Sequence, residues 1–100
     1  MGILDLFGFT KKKKKKIREM LNAGGIIVDI RSEMDFEAEH VINSVNIPYV
    51  QIDNKSDELK KLNKPIVLCC GTGDRSDLIA SKLKKIGINC INGGSWKELL

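Results

Sequence analysis

Ile66-Val67-Leu68-Cys69-Cys70-Gly71-Thr72-Gly73-Asp74-Arg75-Ser76 passes from five apolar residues into a glycine-bearing turn and on into a helical pattern. An apolar run of this length, bounded by Pro65 and Gly71, reads as a strand buried on both faces. Gly71 to Asp74 form a tight loop. A helix is predicted over Arg75 to Ile86, with Leu78, Ile79, Leu83 and Ile86 inward and Lys82, Lys84 and Lys85 outward. Lysines in the last turns suit the helix dipole. Gly87 ends this helix, Ile88 to Ile91 gives another strand, and Gly93-Gly94 turns into a terminal segment carrying Trp96 and Leu99.

Upstream the same alternation recurs. Ile26-Ile27-Val28-Asp29-Ile30 is a second continuous strand pattern. Before it, Thr10 is a suitable N-cap for a helix over Lys11 to Ala23, with Ile17, Met20 and Leu21 on one stripe and Gly24-Gly25 as its stop. Lysines in its first turn oppose the dipole, so fraying is expected there. A short helix is predicted over Glu33 to Glu39, a short strand over Val45 to Ile47, and a helix over Ser56 to Leu62. Strands alternating with helices predict one α/β domain over residues 1–100, with a mainly parallel central sheet flanked by helices and right-handed crossovers.

Charge is unevenly distributed. The 100 residues carry 17 Lys and Arg against 13 Asp and Glu, a net charge of +4. Removing the run Lys11 to Lys16 leaves 11 basic against 13 acidic side chains, a net of −2. A slightly acidic body with one basic segment, residues 1–16, is not the distributed positive face of a nucleic-acid binder. Only five aromatic residues are available for stacking on bases. The lysine run reads as a solvated helix face, with Ile3, Leu4, Leu6, Phe7 and Phe9 capping the core. The sharper alternative is a weak contact of Lys11–Lys16 with an anionic membrane surface. Apolar residues precede the positive charges, the reverse of a secretory signal, and no apolar run approaches the roughly 20 residues of a membrane span. Three cysteines, two of them adjacent, make neither a disulfide framework nor a zinc ligand spacing. Reduced thiols in a cytoplasmic protein, with no metal and no cofactor, are expected.

In open α/β sheets, ligands bind beyond the carboxyl ends of the strands, where Cys70 falls. Gly71 and Gly73 let the backbone curl so that N–H groups point inward, and the following helix adds its positive end. Arg75 adds a full charge if it turns inward. All three favour thiolate over thiol, whose free pKa is about 8.5. The outcome is a nucleophile that needs no histidine base, and His40 is the lone histidine. Cys69 points to the opposite face and is read as core, as is Cys90.

The chain resembles the single-domain rhodanese family of sulfurtransferases from about Ile17 to Trp96. Cys70-x-x-Gly73-x-Arg75-Ser76 is similar to the family's active-site loop and helix start. Ile27-Val28-Asp29-Ile30-Arg31 resembles its first core strand, and Glu39-His40-Val41 through Asn46-Ile47-Pro48 a second segment. Asn92-Gly93-Gly94-Ser95-Trp96 resembles its closing motif. Two departures are Glu39 for the usual glycine and Ile42-Asn43-Ser44 for Pro-Gly-Ala, which lead us to expect a looser or differently shaped turn.

The resemblance implies sulfur transfer through a persulfide on Cys70, from thiosulfate or a small-molecule or protein-bound persulfide donor to a thiol or cyanide acceptor. Gly71, Thr72, Gly73, Asp74 and Ser76 would form the substrate loop, and Asp29 and Arg31 an ion pair bracing nearby loops. Asp74 reads first as the N-cap of the helix and second as a charge that disfavours anionic donors. His40 reads as a hydrogen-bonded loop residue and Trp96 as core. Four residues separate Cys70 from Arg75. The related cell-cycle phosphatases and arsenate reductases carry one more, a wider cradle for an oxyanion, which ranks that chemistry below sulfur transfer. The remaining alternative is a non-catalytic interaction module on the same scaffold.

Overall fold

The computed structural model describes residues 10–100. The apolar cap expected from Ile3, Leu4, Leu6, Phe7 and Phe9 lies outside them. In chain order the elements are α1 (Lys11–Asn22), β1 (Ile26–Asp29), α2 (Glu33–Ala38), β2 (Val45–Asn46), a 3-10 turn (Tyr49–Gln51), α3 (Ile52–Leu62), β3 (Ile66–Cys70), α4 (Asp74–Lys85), β4 (Cys90–Ser95) and a second 3-10 turn (Trp96–Leu99). The four strands form one sheet in the order β2-β1-β3-β4, and every pairing is parallel. This is the mainly parallel α/β sheet flanked by helices that the alternation of elements predicts. Among the described residues, no helix is long and apolar enough to cross a membrane.

β3 is buried along its whole length, and its alternation divides the core. Ile66, Leu68 and Cys70 pack with Ile52 and Leu59 of α3 and Ala80 and Leu83 of α4. Val67 faces Ile17 and Met20 of α1, while Cys69 faces Val41 and Trp96. Thr10 caps α1 by accepting from the Lys13 N–H at 3.1 Å. Gly24, at φ +91°, reverses the chain after the helix.

Four local expectations are corrected. α3 begins at Ile52 rather than Ser56, because the 3-10 turn runs straight into it and Ile52 is buried in the core. β4 runs from Cys90 to Ser95, through the glycine pair expected to turn. In α4 the buried residues are Ser76, Ala80 and Leu83, while Leu78 is 71% exposed and Ile86 43% exposed. The inward face therefore holds Ser76 and Ala80 beside the expected Leu83 and Ile79, and of the expected residues only Leu78 and Ile86 are turned out. Finally, Gly73 caps α4 and Asp74 is already helical.

The 41–44 turn is closed rather than loose. The Ser44 N–H and hydroxyl both donate to the Val41 carbonyl, at 3.0 and 2.6 Å. Asn43 sits at φ +67° and takes the left-handed position otherwise suited to glycine.

The glycine pair makes a β-bulge. Leu68 pairs with Asn92 and Cys70 with Ser95, so three steps of β4 oppose two of β3. A Cβ on Gly93 would lie 2.6 Å from Val67 Cγ1 and 2.9 Å from the Leu68 carbonyl oxygen, so no larger residue fits. Gly94, at φ +78°, supplies the reversed backbone, and its Cα lies 3.1 Å from where a Cβ on Gly73 would stand. The bulge thus brings β4 directly against the loop that follows β3.

Candidate active site

A cleft of about 780 Å³ opens beyond the carboxyl ends of β1 and β3, with Cys70 among its lining residues. The Cys70 sulfur is the focus of the loop. It accepts from the Gly73 N–H at 3.0 Å and the Ser76 N–H at 3.4 Å, and lies 3.3 Å from the Ser76 hydroxyl. Gly73 makes this possible: at φ +102° it turns its amide back toward the sulfur. Gly71 plays no such part. It lacks a positive φ, and open space surrounds the site of a Cβ there.

Burial pushes the Cys70 thiol up, but the Ser76 hydroxyl and the N–H groups of Ser76, Gly73 and Thr72 outweigh it and hold the pKa below the ordinary thiol value. These donors are all uncharged, and Arg75 is turned elsewhere. Its guanidinium stacks on the Tyr49 ring at 3.9 Å, on the cleft wall, instead of bearing on the sulfur. Thr72 and Asp74 are exposed. The Thr72 hydroxyl receives the Asp74 N–H at 3.4 Å; Gly73, not Asp74, is the N-cap, and Asp74 lines the cleft.

Asp29 and Arg31 form a two-toothed ion pair beside the cleft. Arg31 donates from Nε at 3.0 Å to both Asp29 oxygens and from Nη2 at 2.8 Å, and its own N–H adds a bond at 3.0 Å. Nη2 also reaches the Glu39 carbonyl at 2.7 Å, and the guanidinium lies 4.3 Å from the centre of the Trp96 ring. Asn46 donates to the Asp29 and Arg31 carbonyls at 2.9 and 3.0 Å. His40 stacks on Phe36 and bonds its carbonyl at 2.7 Å, away from the cleft. Among the described residues, no group of three or more His, Cys, Asp or Glu side chains could hold a metal ion.

Two further residues belong to this neighbourhood, and sequence reading missed both. Tyr49 lines the cleft under Arg75. Asn92, in the β4 bulge, accepts the Ser76 hydroxyl at 2.6 Å and the Gly94 N–H at 2.8 Å, and donates to the Gly73 carbonyl at 3.1 Å. The signal available for Asn92 was its position before the glycine pair, where an Asn side chain can cap its own backbone two residues on.

Other thiols are held differently. Burial and the Asp29 carboxylate push Cys69 up to about 12 against the opposing pull of Arg31. Burial also raises Cys90, whose thiol donates to the Ala80 carbonyl at 3.4 Å. Iodoacetamide should therefore modify Cys70 with a half-maximal rate below pH ~8.5, the free-thiol value, while native Cys69 stays unreactive. A profile centred above that value would contradict the amide cradle. Because the folded-state pKa is the lower one, ionised Cys70 adds stability above the unfolded thiol pKa. That increment is lost as pH falls through the folded value.

Residues 13–98 match the rhodanese-like domain family. A tRNA sulfurtransferase from Thermoplasma acidophilum is 35% identical over 63 residues, covering 63% of this chain and 12% of that protein. The putative sulfur carrier protein YrkF from Bacillus subtilis is 33% identical over 86 residues, covering 82% of this chain and 44% of that protein. The chain thus spans less than half the length of either relative. The crystal structure of a rhodanese-related protein from Thermoplasma volcanium superposes with a TM-score of 0.69 at 28% identity, covering 83% of this chain and 85% of that one.

Proposed function

Because the chain belongs to the rhodanese-like domain family, we propose that it is a sulfurtransferase whose Cys70 carries the sulfur as a persulfide. The Cys70 thiolate attacks the outer sulfur of thiosulfate or of a persulfide. The S–S bond of the donor breaks, and sulfite or a thiolate leaves with the electron pair. An acceptor thiolate or cyanide then attacks the outer sulfur of the Cys70 persulfide, and the Cys70 thiolate is restored. The observation that carries this reading is the convergence of the Gly73 and Ser76 backbone N–H groups on one sulfur at the cleft. Backbone donors favour a negative sulfur without any proton acceptor beside it.

The cleft supports a preference among donors. Asp74 and Asp35 line it, Arg31 is neutralised by Asp29, and Arg75 keeps its charge on the Tyr49 ring, which leaves the lining one negative charge in excess. A dianion such as thiosulfate meets those carboxylates, so a neutral or protein-borne persulfide is the favoured donor. Sulfur donors and thiol acceptors are the partners of this reading, with the chain acting as a single domain. Charge alone supports a weak contact of the mostly exposed lysines of α1 with an anionic membrane surface, one that salt would screen.

The test is sulfur loading against a panel of donors, followed by fragmentation mass spectrometry. A gain of about 32 Da, one sulfur atom, is expected on Cys70 and not on Cys69 or Cys90. Repeated turnover to thiocyanate or to a thiol persulfide distinguishes an enzyme from a stoichiometric carrier. Hydrolysis of phosphotyrosine or reduction of arsenate, with no sulfur loading from any donor, would overturn the proposal.

A further inference from the structure

Ser76 is fully buried, so its one hydroxyl proton has no water to go to. Three acceptors compete for it: Asn92 Oδ1 at 2.6 Å, the Gly73 carbonyl at 3.2 Å and the Cys70 sulfur at 3.3 Å. The orientation of Asn92 is fixed by its other partners. Oδ1 receives the Gly94 N–H and Nδ2 donates to the Gly73 carbonyl, so a flipped amide would lose both bonds. Oδ1 is therefore an acceptor, and at 2.6 Å the Ser76 hydroxyl is its donor. A hydroxyl that donates to Asn92 turns a lone pair toward Cys70, which suits a protonated thiol and not a thiolate.

We propose that Asn92 is a positioning residue that sets the protonation state of Cys70 by competing with its sulfur for the Ser76 hydroxyl proton. When the sulfur is a thiol, its S–H donates to Ser76 and Ser76 donates to Asn92. When the sulfur ionises, the hydroxyl rotates and donates to it, and Asn92 Oδ1 keeps the Gly94 N–H, so no buried acceptor is orphaned. Once a second sulfur is attached, the negative charge lies on the outer atom and the hydroxyl returns to Asn92. The inference deepens the sulfurtransferase reading, and its test uses no sulfur donor, so the two can fail separately. The other charged groups lining the cleft are Arg31, Asp35, Asp74 and Arg75; Arg31 is paired with Asp29, and Arg75 is stacked on Tyr49. β4 presents no acid or base here, since its Cys90 is bonded to Ala80.

The experiment is the pH profile of Cys70 alkylation, read by mass spectrometry on that residue, in the full chain and in Asn92→Ala, Asn92→Asp, Ser76→Ala and the Ser76→Ala/Asn92→Ala double variant. Asn92→Ala frees the hydroxyl for the sulfur, and the midpoint should fall by roughly one unit, about the worth of one charge-assisted hydrogen bond. The fall should vanish in the Ser76→Ala background. Asn92→Asp binds the proton harder and adds a negative charge, and its midpoint should rise. It also carries the test if Asn92→Ala does not fold. A midpoint that rises or stays put in Asn92→Ala overturns the inference, as does a fall that persists without Ser76 or an Asn92→Asp midpoint that does not rise.

Discussion

Cys70→Ser is expected to lower sulfur transfer by roughly three orders of magnitude or more, and to abolish the sulfur adduct. The serine oxygen would sit in the same cradle of Gly73 and Ser76 donors, so folding should survive. Two physical differences remove the chemistry. A hydroxyl is not ionised at neutral pH by donors that shift a thiol by a modest amount. Oxygen is also a poor nucleophile toward divalent sulfur. Cys69→Ser is the informative companion. Its side chain faces Val41 and Trp96 on the other side of the sheet. It should keep transfer while losing stability, about 1–3 kcal/mol for a hydroxyl buried without a built partner. Thiocyanate formation and intact mass, measured on both variants, check the pair. Sulfur loading that survived Cys70→Ser would move the reaction to another residue.

The largest stability effect is expected from Arg31→Ala. Asp29 is completely buried, and its carboxylate takes its hydrogen bonds from Arg31. Removing the guanidinium leaves a buried charge with one backbone donor, which costs about 3–5 kcal/mol. The same change breaks the bond to the Glu39 carbonyl and the stack on Trp96, so the 31–39 segment and the terminal turn lose their common anchor. Urea unfolding of Arg31→Ala should show a midpoint shift at unchanged slope. Asp29→Asn/Arg31→Met, which removes both charges, should recover part of the loss. A loss for Arg31→Ala below about 1 kcal/mol would reduce the pair to the standing of a surface salt bridge.

Most of the architecture was legible because β1 opens on three β-branched residues and β3 is five consecutive apolar residues, the pattern of strands covered on both faces. The helix after β3 was legible in extent but not in orientation. Counting apolar residues turned Leu78 and Ile86 inward, whereas hydrogen bonding to Cys70 draws Ser76 in, and Ala80 and Leu83 follow at helical spacing. β4 was cut short because a glycine pair usually signals a turn. Here it is a bulge, and that depends on the register against β3, which no local pattern encodes. Tyr49 reaches the cleft, and Asn92 the loop behind Cys70, from segments distant in the chain, so their part follows from the fold. Arg75 illustrates the converse: its position near the loop was legible, but its stack on Tyr49 required the folded chain.

The alternation along β3 also bears on oxidative damage. Peroxide entering the cleft meets a single reactive thiol, since Cys69 is turned through the sheet and Cys90 is tied to the Ala80 carbonyl. A sulfenic acid formed on Cys70 has no neighbouring cysteine to condense with. Rescue must come from a thiol in solution, and without one the residue proceeds to sulfinic acid, which ordinary thiols do not reverse. Adjacent cysteines in the chain thus provide no self-repair, because the pleat has separated them.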